Sequence, residues 1–265
     1  MHWTDDALVI GTRPHGESAV VAELMTRQHG RHLGLVHGGR SRRLTPVLQS
    51  GNSVRATWRA RLDEQLGSFT VEVQVSRAAR LIASSFALSG LAVLGQHMRL
   101  LPERDPHPAL FDAAEMLAER LDEAALAPAL FVRFELALLA ELGFGLDLGS
   151  CAATGATEDL AYVSPRSGRA VGREPGAPYG DRLLPLPAFL ASDTLVAPPP
   201  AEIAAGFRLT THFLDAHLHG IRSARAAAER ARFVAMASAP ARGIGSGMVA
   251  PSISASGDSA RDGHE

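Results

Sequence analysis

Residues 30–46, GRHLGLVHGGRSRRLTP, are the stretch on which the reading of this chain turns. Leu33, Leu35 and the neighbouring Val36 form an apolar-alternating run, the pattern of a half-buried strand. The run leads into Gly38-Gly39, where the backbone is released for a turn without a Cβ penalty. Arg40, Arg42 and Arg43 follow, with Ser41 between, so three guanidiniums are delivered to one end of a sheet. The planar fork of arginine matches phosphate oxygens bidentately, and a glycine loop lets backbone N–H groups approach the same anion. A polyanion is the natural partner of such a loop, and the plainer alternative is a solvated surface turn.

Upstream, residues 7–13 (ALVIGTR) form a short β-rich run that Pro14-His15-Gly16 interrupts, and 18–26 (SAVVAELMT) read as a second strand closed at His29-Gly30. Downstream, 52–61 (NSVRATWRAR) alternate Val54, Ala56, Trp58 and Ala60 with a face carrying Arg55, Arg59 and Arg61. Residues 67–75 (GSFTVEVQV) alternate again, with Phe69, Val71, Val73 and Val75 on one side. Five short strands in so small a span predict a closed or partly closed barrel, because closure removes exposed edges; the OB-fold is the obvious candidate. Such barrels bind single strands through a positive groove helped by aromatic platforms. Aromatics are scarce here: only Trp3, Trp58 and Phe69 precede Arg80. Trp58 and Phe69 fall in the apolar phase of their strands and are expected in the core, so binding should be dominated by the phosphate backbone and sensitive to salt.

From residue 79 the period lengthens. Residues 85–101, 107–125 and 128–142 place apolar side chains three and four apart, which predicts three amphipathic antiparallel helices. The third is apolar nearly all round and should be central, with Gly143 and Gly145 capping its end. Residues 147–186 are rich in Gly, Pro and Arg and read as an irregular insertion. A helical pair at 201–218 and 223–236, hinged at His219-Gly220, follows. Residues 238–265 have little to bury and are expected to be disordered. The domains expected are thus 1–80, 81–237 and a tail.

Charge supports the basic front. All 26 basic residues are arginine; residues 1–80 hold 11 of them against seven acids, a balance of +4, whereas the remaining 185 residues hold 15 against 21, a balance of −6. No apolar run approaches the roughly 18 residues that span a bilayer, and the start MHWTDDALVIG is unlike a targeting leader, which predicts a cytoplasmic protein with no membrane partner. The single Cys151 excludes an internal disulfide and a cysteine-rich zinc site. Cys151 lacks an identifiable His constellation and reads as a structural thiol, and the spacing of His212, His217 and His219 does not put all three on one helix face. No phosphate-binding loop, nucleophile elbow or two-metal acidic pair is present, so no catalytic set, cofactor or metal is expected. Arg133, inside FVRFELALL, is either a snorkelling or paired side chain or the receiver of a peptide carboxylate at the mouth of an apolar groove.

Several segments together resemble the RecO family of bacterial recombination mediators: ALVIGTRPHGESAVVAELMTRQHGRHLGLVHGGRSRR at the start, the helix PALFVRFELALLAELGFGLDLGSCAATG, and HLHGIRSARAA near the end. The resemblance implies an α+β multidomain protein: an N-terminal five-stranded OB-fold barrel, then an α-helical domain whose irregular insertion is a degenerate version of a zinc module. Cys151-Ala152-Ala153-Thr154 keeps only the first of the four cysteines of zinc-bearing members, so zinc is not expected. It also implies a non-enzymatic, nucleoid-associated role: binding single- and double-stranded DNA, annealing strands coated with single-strand-binding protein and, with RecR, helping RecA load at gaps. In relatives the C-terminal tail of single-strand-binding protein docks on the helical domain, which points to Arg133. The DNA-binding residues expected are Arg13, Arg31, Arg40, Arg42, Arg43, Arg55, Arg59 and Arg61; 166, 169 and 173 are further arginines that contact DNA or line a solvated loop. The alternative function is a general RNA-binding OB module.

Overall fold

A computed structural model describes residues 1–239 except 63, 192–195, 219 and 222. The expected disordered tail falls, beyond residue 239, outside the described residues, as does His219 of the hinge.

Five strands close a barrel: β1 (His2–His15), β2 (Ala19–Thr26), β3 (Gly30–Val36), β4 (Ser53–Arg59) and β5 (Ser68–Val75), in the order β1-β2-β3-β5-β4. Neighbours are antiparallel except β3 and β5, whose short parallel contact pairs Leu35 with Ser68. Alternation drives the inner set, including Val9, Leu24, Val36, Ala56, Trp58 and Phe69, into one core. Trp58 and Phe69 are core residues as expected, and the Trp58 indole N–H donates to Leu66 O at 3.1 Å. Gly34 is required by this packing, because a Cβ there would stand 2.4 Å from the Phe69 ring.

Three details depart from the expected strands. β1 runs on through Pro14, whose missing N–H is tolerated near a strand end. On β5 only Phe69 and Val71 are buried; Val73 and Val75 are exposed because the barrel closes before them. β4 stops at Arg59, so Arg61 lies in the following loop rather than on the arginine face.

A bulge between Val9 and Gly11 rotates Ile10 out of the barrel, and Ile10, Leu8 and Met25 join the core of the helical domain instead. That domain holds α1 (Ala78–Ile82), α2 (Ser85–Met98), α3 (Pro108–Arg120) and α4 (Ala127–Glu141), then α5 (Arg173–Gly176), α6 (Pro200–Leu218) and α7 (Ala224–Ala237). α4 is central, with ten buried residues on all sides. It ends at Gly143, whose φ of +85° suits glycine alone without strain. The insertion is more ordered than expected. It builds a three-stranded antiparallel sheet in the order β7-β6-β8, from β6 (Leu160–Val163), β7 (Ala170–Gly172) and β8 (Leu184–Pro185). These strands are too short for periodicity to reveal them.

Polar contacts join barrel and helices. The Arg77 guanidinium, almost fully buried, donates to Glu115, Glu119, Ser53 Oγ and Gly51 O, while Asn52 Oδ1 accepts from the N–H groups of Arg77 and Ala78. Arg27 holds Asp112 bidentately at 2.9 and 2.7 Å. Inside the helices, Glu135, with no exposed surface, accepts from Arg230 at 2.6 and 2.7 Å and lies 3.0 Å from His97 Nε2. Burial raises the Glu135 pKa, but the Arg230 charge and the hydrogen bonds from Arg230 and His97 outweigh it and hold the carboxyl well below the usual range. Among the described residues no helix is long and apolar enough to cross a membrane.

Candidate nucleic-acid interface

The glycine loop forms as its composition demands. Gly38 takes φ +65°, and a Cβ on Gly39 would approach Val20 to 2.5 Å. Residues 41–48 then coil into helical turns, Thr45 N–H donating to Ser41 O and Leu48 N–H to Leu44 O, with Ser41 Oγ accepting from Leu44 N–H. One expectation is corrected: the N–H groups of Gly39, Arg40 and Ser41 bond Val36, Ser18 and Gly38 carbonyls, so they do not point at an anion. Side chains do the presenting.

β1 and β3 run in the same direction, so the end of β1, the β1–β2 turn and the glycine loop meet at one end of the barrel. Arg40 fastens this end by donating to Glu17 O at 3.0 Å. Arg13, Arg42 and Arg43 are exposed, and no described residue pairs with them. Four guanidiniums without a carboxylate partner therefore make a basic rim.

The other expected arginines lie elsewhere. Arg31, the second residue of β3, is mostly buried; it bridges Glu23 at 3.0 Å and Glu103 at 3.3 Å. Glu23 also accepts from Arg99 at 2.8 Å, and these groups line a groove of about 400 Å³ that runs up the β1–β2–β3 face to Arg13. The sequence does not single out Arg99, because nothing in its helical segment signals that it faces the barrel. Arg55 donates to Asp6 at 2.7 Å; with Gln74 it lowers the Asp6 pKa below the usual carboxylate value. Arg59 pairs in register with His2, at the other end of β1 from Arg13. Eleven residues of strand separate the two ends, roughly 35 Å if extended. The structure thus brings together Arg13, Arg40, Arg42 and Arg43, with Arg31 at the far end of the groove, and sets Arg55, Arg59 and Arg61 apart. Trp3, the remaining barrel aromatic, is stacked on His29 with ring centroids 4.1 Å apart.

On α4, Arg133 is half-buried and donates from Nη2 to Phe189 O at 2.7 Å, which ties the 3-10 turn Ala188–Leu190 to the helix. Its sequence neighbour Glu135 belongs to the Arg230 pair on another face. His212 Nε2 bonds Pro165 O, and His217 stacks on Phe144 at 4.3 Å. Cys151 is buried; the Thr154 hydroxyl and the Gly172 N–H favour its thiolate and lower its pKa to about 7. Arg169 and Arg173 pair with Asp147 and Asp159, whereas Arg166 has no described partner.

Comparison with known proteins agrees with this architecture. Sequence models of two families match almost end to end: Recombination protein O N terminal over residues 1–76, which spans the barrel, and Recombination protein O C terminal over residues 81–225. A DNA repair protein RecO of Methylorubrum extorquens is 58% identical over 241 residues, covering 89% of this chain and 98% of that protein. Those of Methylobacterium nodulans (58% over 245 residues, 91% and 100% covered) and Rhizobium etli (56% over 234 residues, 88% and 91% covered) are similarly near.

Proposed function

The chain belongs to the RecO family of DNA repair proteins, and from that premise we propose that it is a recombination mediator that works by binding rather than by catalysis. In this reading the rim of Arg13, Arg40, Arg42 and Arg43 neutralises phosphates of single- and double-stranded DNA. Arg31 and Arg55 contribute where their carboxylate partners yield to a phosphate, and the exposed Arg59 and Arg61 contribute away from the rim. The observation that carries the reading is the convergence of four guanidiniums, none held by a carboxylate, on one end of the barrel.

Annealing needs the repulsion between two strands to be screened, and a rim of fixed cations does this by displacing condensed counterions. No proton or electron has to move. Arg133 receives the carboxylate tail of single-strand-binding protein beside the apolar α4–α6 packing, which brings the rim to coated strands and raises their effective concentration. Together with RecR the protein then promotes RecA loading at gaps, in association with the nucleoid.

Annealing of complementary oligonucleotides, bare and precoated with cognate single-strand-binding protein, tests this. The Arg40→Ala/Arg42→Ala/Arg43→Ala variant should fail on both substrates and Arg133→Ala on the coated one alone. Wild-type annealing by both variants would refute the two assignments, and a wild type that does not anneal would refute the function.

A further inference from the structure

Beyond the barrel, the three-stranded insertion carries a groove of about 440 Å³, inside the range of small-ligand sites. Val171, Pro175 and Leu183 give it an apolar floor. Tyr179 stands in its wall with 56% of its surface exposed, an unusual state for an aromatic ring in this chain. The next residue, Gly180, takes φ +41° and breaks the 3-10 segment Ala177–Arg182 beside it.

Arg166 and Arg182 also line the groove, whose lining contains no carboxylate. Arg166 lies in the β6–β7 hairpin and Arg182 in the segment entering β8. Val163 pairs with Leu184 in register, so the two arginines reach the same end of the sheet from either side of central strand β6. Both are exposed and neither has a described partner, while Asp147 and Asp159 are already taken by Arg169 and Arg173.

An apolar floor, an accessible aromatic face and two separated cations match an unpaired base with a phosphate on each side. We propose that this groove is a second nucleic-acid subsite, specific for single strands, in which Tyr179 stacks on a base while Arg166 and Arg182 hold the flanking phosphates. A duplex cannot use it, because its bases offer no free face. The inference rests on the DNA-binding reading above and adds to it a means of telling unpaired from paired DNA.

The test is binding of the full-length protein to a fluorescent oligo-dT and to a duplex of equal length, for wild type, Tyr179→Ala, Tyr179→Phe, Arg166→Ala/Arg182→Ala and the rim triple variant. Tyr179→Ala should weaken oligo-dT binding about 10-fold, the scale of one lost base stack, and leave duplex binding within about 2-fold. Tyr179→Phe, which keeps the ring, should bind like wild type. The arginine pair should lower the oligo-dT salt slope by about 1.4, or 0.7 per phosphate. Unchanged oligo-dT binding in Tyr179→Ala, with the rim variant defective, overturns the subsite and leaves the rim standing; equal losses on duplex and single strand overturn its strand specificity. Wild-type protein that binds neither DNA overturns both readings.

Discussion

The rim makes a quantitative statement about salt. Four guanidiniums that each neutralise one phosphate release four condensed counterions, so the rim's share of the slope of log K against log[salt] should be about −3.6 for duplex DNA and about −2.8 for a single strand. Between 50 and 200 mM salt the rim alone then costs about 150-fold in duplex affinity. Replacing Arg40, Arg42 and Arg43 by alanine leaves Arg13, and the rim's share of the same interval shrinks to about 3.5-fold. Arg55→Ala should hardly move the slope, because its charge is already met by Asp6 at 2.7 Å. Fluorescence anisotropy titrations at four or five salt concentrations read these slopes directly. A triple variant that keeps the wild-type slope would refute the rim, and an Arg55→Ala/Arg59→Ala/Arg61→Ala variant that loses as much would show that phosphates are met on the β4 side.

Two further outcomes are expected. Arg230→Leu strands the buried Glu135 carboxylate and should cost about 3–5 kcal/mol in urea unfolding, most of it restored in Glu135→Leu/Arg230→Leu; an undiminished loss in the double variant would place the cost in packing. Because the folded Glu135 pKa lies below its usual 4.5, the pair's contribution is full above pH 4.5 and disappears as pH falls below it, a steepness that the double variant should lack. Alkylation of Cys151 under native conditions should rise around pH 7, and Thr154→Val should move that midpoint upward; a midpoint near 9 in both proteins would contradict the hydrogen bonds assigned to the sulfur.

Period-two alternation made the barrel legible, and the period of three and four made the long helices legible, because each pattern reports directly which side chains are buried. The glycine pair could be read for the same reason: one needs a positive φ and the other a missing Cβ. The grouping of arginines could not. Arg55 looked like Arg40 in sequence, but only the β1–β4 register places Asp6 beside it. That Arg133 and Glu135 point to different helix faces follows from their spacing of two, but nothing in the sequence shows that Arg230, 95 residues further on, is the partner of Glu135. Two to four residues per strand are too few for the insertion's sheet to show a period, and nothing in the sequence around Tyr179 marks its ring as exposed.

The junction at Arg77 has a mechanical consequence. Only Ser76 lies between the end of β5 and this buried, multiply bonded guanidinium, and Ile10 reaches across from the barrel into the helical core. Barrel and helices are therefore welded rather than strung together, and the angle between them is built in. Whatever grips the helical domain also aims the basic rim, so the protein behaves as a rigid bracket whose reach is fixed by its fold.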